Sequence, residues 1–438
     1  MNNYRFLLSI YLFALSLHMH SFDITSIYDL LPEHPEIEYI KCLDAQPFEY
    51  TPFPISRFPE LQPHKGLFGE TFILKIPHGQ VCSWRGWIKI DNNIVSECIA
   101  PYYSGTFEKL LLECRPFPPV KKIKGRVAVI TMLFDTNFGH WMYNILGRLA
   151  LLEMNNIEYD WLYVTYDKPF MKETLALWGI DESKIIQPFG DTKYIEADEL
   201  IVPSLIGKRV PMDHQYPLDW IPFDRFSKKW GFDPTKDTDY FHTMNCTNST
   251  RDILPDKIPT ENIFITWTHL CGIYVNSWVI DPVRNKFLSL IKDKKYTFPK
   301  KIFISRQDTS ARQMTNEDEI FALLEPYGFK RYQLAKLSLS EKIALIHNAE
   351  CIVAATGTAL INLLFAKPKT TIIEIFQGFS DCIFYYLSQT LQLNHHCIKT
   401  KEFTDLSTEE HTYVDPKIIL DFIEKNKTLF QDTKEIDA

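Results

Sequence analysis

What the chain lacks narrows its chemistry before any motif is read. Nine cysteines (Cys42, Cys82, Cys98, Cys114, Cys246, Cys271, Cys351, Cys382 and Cys397) are scattered with no Cys-x-x-Cys pair, so the spacing of a zinc site is missing. There is no Gly-x-Gly-x-x-Gly and no Gly-Lys-Ser/Thr after a strand-like run, which excludes the usual dinucleotide fingerprint and P-loop kinases. There is no positive surplus: the net charge is −8, so nucleic-acid binding through a basic face is excluded. An anion site must therefore be local, built from a few placed cations. No internal repeat and no long low-complexity tract occurs, and beyond residue 22 no apolar run is long enough to span a bilayer.

What is present is a chain of 438 residues, long enough for two or three domains. Hydrophobic residues at 45% against charged residues at 23% fit a soluble globular protein, and 14% aromatics imply large cores or aromatic-lined clefts. The start, "MNNYRFLLSIYLFALSLHMHSF", sets one Arg before an apolar run from Phe6 to Leu17. That run is short for a membrane span and suits a signal peptide or short signal anchor over residues 1–22, with a buried N-terminal helix as the bland alternative. The expected location is the secretory pathway or beyond it, with membrane association through this segment, or the cytoplasmic membrane face if the protein is bacterial. In an oxidising compartment Cys42, Cys82, Cys98 and Cys114 lie close enough in sequence to pair. Asn245, Asn248 and Asn426 stand in N-glycosylation sequons.

Residues 23–120 are rich in proline and aromatics, with short alternating runs such as "ETFILKI" and "GWIKI". They read as an irregular, β-containing N-terminal region. From 121 to 284 strand-like runs ("RVAVITML", "WLYVTY", "KIIQ", "ELIVPS") alternate with helical patterns, interrupted by a polar insertion over 208–262. Alternation resumes over 285–400 with strands "KIFIS", "FKRYQL", "CIVAAT" and "TTIIEIF", and a helix and tail follow over 401–438. Strands and helices at this spacing predict βαβ units. The expected architecture is α/β, two Rossmann-like parallel-sheet domains facing a cleft.

In open α/β sheets ligands bind beyond the carboxyl ends of the strands. "KIFIS" ends at Ser305-Arg306, with Arg312 six residues on. "CIVAAT" ends at Thr356-Gly357-Thr358, before a helical run that carries Asn362, and "TTIIEIF" carries Glu374. A Thr-Gly-Thr turn offers backbone N–H groups and a helix N-terminus to an anion, and glycine allows close approach. Arginines supply the bidentate partners that phosphate oxygens favour, while a carboxylate accepts from ribose hydroxyls. Each piece alone has an ordinary reading as an N-cap, a solvated loop or a buried acid. Together, on three strand ends, they predict a nucleoside-diphosphate pocket. In the first half His140, Asn144 and Arg148 recur every fourth residue of "GHWMYNILGRLALLE", a stripe that on most helices faces solvent. Here it follows "DTNFG", which places His140 at a helix start where a cleft would lie and where a neutral imidazole could act as a base. Asp237-Thr238-Asp239 matches a metal-binding DxD pattern but sits in the polar insertion, where two carboxylates do not make a hard-cation site.

The stretches "NFGHWMYNILGRLALLE", "FISRQDTSARQMTNEDEIFALLEPYGF", "LSLSEKIALIHNAECIVAATGTALINLLFA" and "TTIIEIF" together resemble glycosyltransferase family 61, over roughly residues 125–395. That family includes plant β-1,2-xylosyltransferases, O-linked N-acetylglucosaminyltransferases and bacterial capsular polysaccharide enzymes. The resemblance implies a GT-B fold and inverting transfer of a sugar, N-acetylglucosamine or xylose, from a UDP-sugar donor to a hydroxyl of a glycan or glycoprotein, with no metal and no cofactor. It implies that Arg306 and Arg312 hold the diphosphate, that Thr356, Gly357, Thr358 and Asn362 lie against the donor, and that Glu374 lies near the ribose. His140 matches the family's histidine, and Asn144 and Arg148 share its acceptor-side helix. Two positions depart from the pattern. Asn144 stands where many members have Asp, which leaves His140, Asp135 or another carboxylate as base. Thr356 stands where members often have His. The alternative is an inactive relative that binds a sugar nucleotide or glycan without transfer.

Overall fold

The computed structural model describes residues 23–55, 65–82, 85–99, 119–132, 135–206, 209–210, 277–309, 312–377, 382–400 and 411–430. The expected targeting segment 1–22, Cys114, Asp237 and Asp239, Asn245 and Asn248, and most of the 208–262 insertion lie outside these residues. Among the described residues no helix is long and apolar enough to cross a membrane. Cys42 and Cys82 are free thiols, so the expected pairing does not join them.

In the first half, strands β1 (Thr71–Pro77), β2 (Lys121–Val129), β3 (Trp161–Tyr163) and β4 (Tyr194–Pro203) form the centre of a ten-stranded mixed sheet. β2 pairs in parallel with β3 on one side and β4 on the other. β1 then runs antiparallel to β4, with Leu74 opposite Val202. The proline-rich N-terminal region therefore continues the same sheet. Helix α1 (Leu146–Met154) follows β2, and α2 (Pro169–Trp178) follows β3. α2 stops at Gly179, whose φ of 87° is a left-handed cap that a Cβ would strain although open space surrounds it.

A long helix, α3 (Ser277–Ser289), opens the second half. Strands β5 (Lys301–Ile304), β6 (Lys330–Tyr332), β7 (Cys351–Ala355), β8 (Thr371–Phe376) and β9 (Asn394–Lys399) make a five-stranded sheet in the order β6-β5-β7-β8-β9. Every pairing in it is parallel. All five residues of β7 are buried, as a strand covered on both faces requires. Helices α4 (Glu317–Leu324) and α5 (Leu339–Asn348) alternate with the strands, and α5 begins in a capping box between Ser338 and Glu341. The run after Thr-Gly-Thr, expected as an ordinary helix, is a 3-10 helix over Thr358–Phe365. Its i→i+3 bonds begin with the Leu360 N–H on the Gly357 carbonyl at 2.9 Å. α6 (Ile383–Thr390) and α7 (Pro416–Lys425) complete the half.

The two halves share one core. Ile73, Ile130, Trp141 and Leu175 from the first belong to the same buried cluster as Ile302, Ile352, Leu363 and Leu387 from the second. α3 is the wedge between them, and the expected boundary at residue 285 falls inside it. Phe287, wholly buried, sets its ring 5.6 Å from Trp178 and 6.2 Å from Phe365. Arg284 donates to the Ala366 carbonyl at 2.7 Å, and Lys286 reaches Glu153 at 2.8 Å. Burial of the Phe287 ring alone contributes about 2–3 kcal/mol.

Candidate active site

His140 sits where one helix changes its pitch. Asn137 caps the start, its side-chain oxygen accepting from the Gly139 N–H at 2.8 Å. Phe138–His140 form one α turn, and Trp141–Ile145 then form a π turn, closed by the Leu146 N–H on the Trp141 carbonyl, before α1 continues. All five side chains of the π turn are buried, so protein packs the turn on every side. Single π turns within α-helices concentrate at functional sites. Here the turn brings His140 Nδ1 to 3.2 Å from Asn144 Oδ1, while Asn144 Nδ2 donates to the Ile206 carbonyl at 3.1 Å. Burial pulls His140 down to about 4, partly opposed by the Asn144 contact, so the ring is neutral at physiological pH.

The expected polar stripe does not face solvent, and it does not stay together. Arg148 is 1% exposed and points into the sheet. Its guanidinium donates to the Thr131 carbonyl at 2.9 Å and to the Pro203 carbonyl at 2.9 and 2.6 Å, tying the chain just past β2 to the end of β4. Burial lowers it to about 10, so it keeps its charge. Arg148 thus braces the ends of the two strands. Asp135 is also wholly buried and accepts from the hydroxyls of Thr131 and Thr165, both at 2.5 Å. Among the described residues its other oxygen has no hydrogen-bond partner, and burial pushes the carboxyl up to about 7.

A raised folded-state value makes the protonated form the native one. Asp135 therefore supports the fold at low pH, and that support is lost as pH rises from the ordinary carboxylate range through about 7. Asp135→Asn should accordingly stabilise the protein by about 2–4 kcal/mol more at pH 8.5 than at pH 3.5, below the ordinary carboxylate value. Melting curves at the two pH values test this, and equal shifts at both would refute it.

In the second half, Arg306 leaves β5 and turns back into the protein, 5% exposed. Glu317, at the start of α4 and 2% exposed, accepts from the Arg306 backbone N–H at 2.9 Å and from the Ser305 hydroxyl at 2.5 Å, fixing this loop. Arg306 Nε donates to the Arg312 carbonyl at 3.0 Å. Arg312 holds a φ of 55°, a left-handed conformation that costs a non-glycine residue about 1 kcal/mol. Burial lowers Arg306 to about 10, and the Arg312 charge adds to the effect. A dianion between two such cations reverses that repulsion. The guanidinium lies against Gly357: a Cβ there would stand 1.6 Å from Arg306 Nη1. Gly357 itself is extended, with φ 164°, so its requirement is for space.

The structure brings these two clusters toward each other. Gly139, next to His140, lies against Ile361 in the 3-10 helix that begins at Thr358, where a Cβ would meet Ile361 Cδ1 at 3.1 Å. Asn362, 3% exposed, donates to the Ala359 carbonyl at 2.9 Å, and its buried Oδ1 has no partner among the described residues. Thr356 is buried, its N–H bonded to Ile375 in β8 at 3.0 Å. Glu374 lies inside β8, wholly buried, its carboxylate 3.1 Å from His395 Nε2. Ser388 holds the opposite ring nitrogen of His395 at 2.7 Å. Among the described residues no group of three or more His, Cys, Asp or Glu side chains could hold a metal ion.

Three participants escaped the sequence reading. Ile206 acts through its main-chain carbonyl, which has no sequence signature. Glu317 was legible only as an acid at a helix start, although its place eleven residues after Arg306 could have drawn attention. His395 had a signal, because a histidine pair in "NHHC" is unusual in a strand. A family model described as Glycosyltransferase 61 matches residues 138–373, more than half of the chain. The match opens at the α turn that carries His140 and stops one residue before Glu374. No curated protein matches the chain.

Proposed function

The chain belongs to the glycosyltransferase 61 family, and from that premise we propose that it is an inverting enzyme of GT-B type. It moves a sugar, N-acetylglucosamine or xylose, from a UDP-linked donor to a hydroxyl of a glycan or glycoprotein. The observation that carries this reading is the contact between Gly139 and Ile361, which sets the His140 turn of one half against the Thr-Gly-Thr turn of the other. A base and an anion site at one junction are what such a transfer requires.

In the proposed reaction the acceptor hydroxyl attacks the sugar's anomeric carbon from the face opposite the diphosphate. Its proton passes to the neutral ring of His140 while the anomeric carbon–phosphate oxygen bond breaks. The leaving diphosphate gains negative charge, and Arg306, Arg312 and the backbone N–H groups at Thr358 stabilise it where it develops. These groups are set before the donor arrives, Arg306 by Glu317 and Gly357, so little reorganisation is needed. We also place the protein in the secretory pathway or on a membrane, on the strength of its apolar start.

A thermal-shift screen against nucleotide sugars tests the reading. One donor should stabilise the wild type by about 2.7 kcal/mol at a hundredfold excess over its Kd, and Arg306→Ala should lose that shift. The same donor with an acceptor glycan should yield free nucleoside diphosphate. Stabilisation without any release would instead identify an inactive relative, the reading that Asn144 in place of a carboxylate favours.

A further inference from the structure

We propose that Asn144 is a positioning residue that holds His140 as the Nδ1–H tautomer, so that Nε2 is the nitrogen that takes the acceptor's proton. The inference rests on His140 being the base of the proposed transfer.

The geometry follows from what each atom can do. The Ile206 carbonyl oxygen only accepts, so the end of the Asn144 amide 3.1 Å away must be its NH2 group. The amide oxygen is thereby turned to the ring, 3.2 Å from Nδ1. An amide oxygen also only accepts, so Nδ1 must carry the hydrogen. A neutral imidazole has a single ring hydrogen, which makes Nε2 the basic nitrogen. Histidine free in water favours the opposite tautomer, so the protein has to impose this one.

The main chain, through Ile206, thus dictates the proton position on a side chain 66 residues away. The same carbonyl explains why an amide serves here. A carboxylate at 144 would accept from Nδ1 equally well, but its second oxygen would face the Ile206 oxygen in a site only 8% exposed. Two acceptors would then oppose each other with no hydrogen between them. The chemistry differs too. An amide orients the ring without neutralising the imidazolium formed during transfer, so Asn144 contributes placement and not charge. The π turn belongs to the device, since it carries Asn144, begins directly after His140 and aims Asn144 between the ring and the chain after β4.

The test is a long-range nitrogen–proton NMR correlation on protein labelled with 15N-histidine, with the His140→Gln spectrum identifying the signal. The wild type should show a protonated Nδ1 and an unprotonated Nε2. Asn144→Leu should move the ring toward the Nε2–H form and lower kcat by about tenfold to hundredfold, with the donor KM unchanged. An Nε2–H ring in the wild type, or an unchanged tautomer in Asn144→Leu, would overturn the proposal. Should Asn144→Leu not fold, the wild-type spectrum decides alone. Unaltered turnover in His140→Ala would remove the base assignment and leave the tautomer result standing, so the two failures are distinguishable.

Discussion

Gly357→Ala is expected to weaken donor binding by about 2–4 kcal/mol, as much as deletion of the Arg306 side chain itself. The new methyl group would stand 1.6 Å from Nη1 and 2.7 Å from Cζ of Arg306, distances that no side chain tolerates. One partner must move, and the turn is the less free of the two. The Thr356 N–H is bonded to Ile375 and the Gly357 carbonyl to Leu360, so strand and 3-10 helix hold it from both sides. The guanidinium is therefore displaced, and with it the bond from Nε to the Arg312 carbonyl. Because Gly357 is in extended backbone, alanine adds no conformational strain, and the whole effect is steric. A double-variant cycle makes the claim sharp. In an Arg306→Ala background, Gly357→Ala should cost almost nothing further, because the methyl group then enters vacated space. Calorimetric titration of the donor reads the cycle, and additive losses would contradict this packing.

If His140 is the base proposed above, His140→Ala should reduce kcat by about 10²–10⁴-fold while leaving the donor Kd unchanged, since a base acts on the acceptor and not on the diphosphate. Desolvation holds the ring down to about 4, so the wild type keeps its base in the required neutral form throughout the physiological range. Transfer by the wild type should fall only as pH approaches that value, and the residual rate of the variant should lack the acidic limb. Release of nucleoside diphosphate with saturating acceptor is the measurement. A variant with wild-type kcat would return the role of base to a carboxylate. Asp135 is poorly placed to take it, with one oxygen held by Thr131 and Thr165 and no exposure to solvent.

The second half was the more legible part of the sequence, for a physical reason. Its three central strands, β5, β7 and β8, are parallel and largely buried, so each appears as a short continuous apolar run, and the residues that end each run stand at the carboxyl edge where the donor is proposed to bind. Ser305-Arg306 and Thr356-Gly357 could be found in this way. The first sheet hid its extent because β1 pairs with β4, more than a hundred residues later, and no local pattern records such a pairing. The contacts of Arg148 were hidden for a related reason. Spacing by four placed it on the His140 stripe, but its partners are main-chain carbonyls of Thr131 and Pro203, and any residue type would offer those. The contact of Arg306 with Gly357 lay between the two. Both residues were singled out, yet the role of glycine read as an approach for ligand, whereas in the fold it first makes room for the arginine.

Chain length inside the His140 helix is itself under constraint. A π turn holds one residue more than the helix needs to keep its course, so the five residues Trp141–Ile145 amount to an insertion absorbed without breaking the helix. Removing any one of them would give an uninterrupted α-helix, better formed by every local criterion. It would also swing Phe138–His140 by about 100° relative to Asn144 and the buried face of α1. The segment is therefore constrained in its length as well as in its buried side chains, and a deletion there is a different lesion from any substitution.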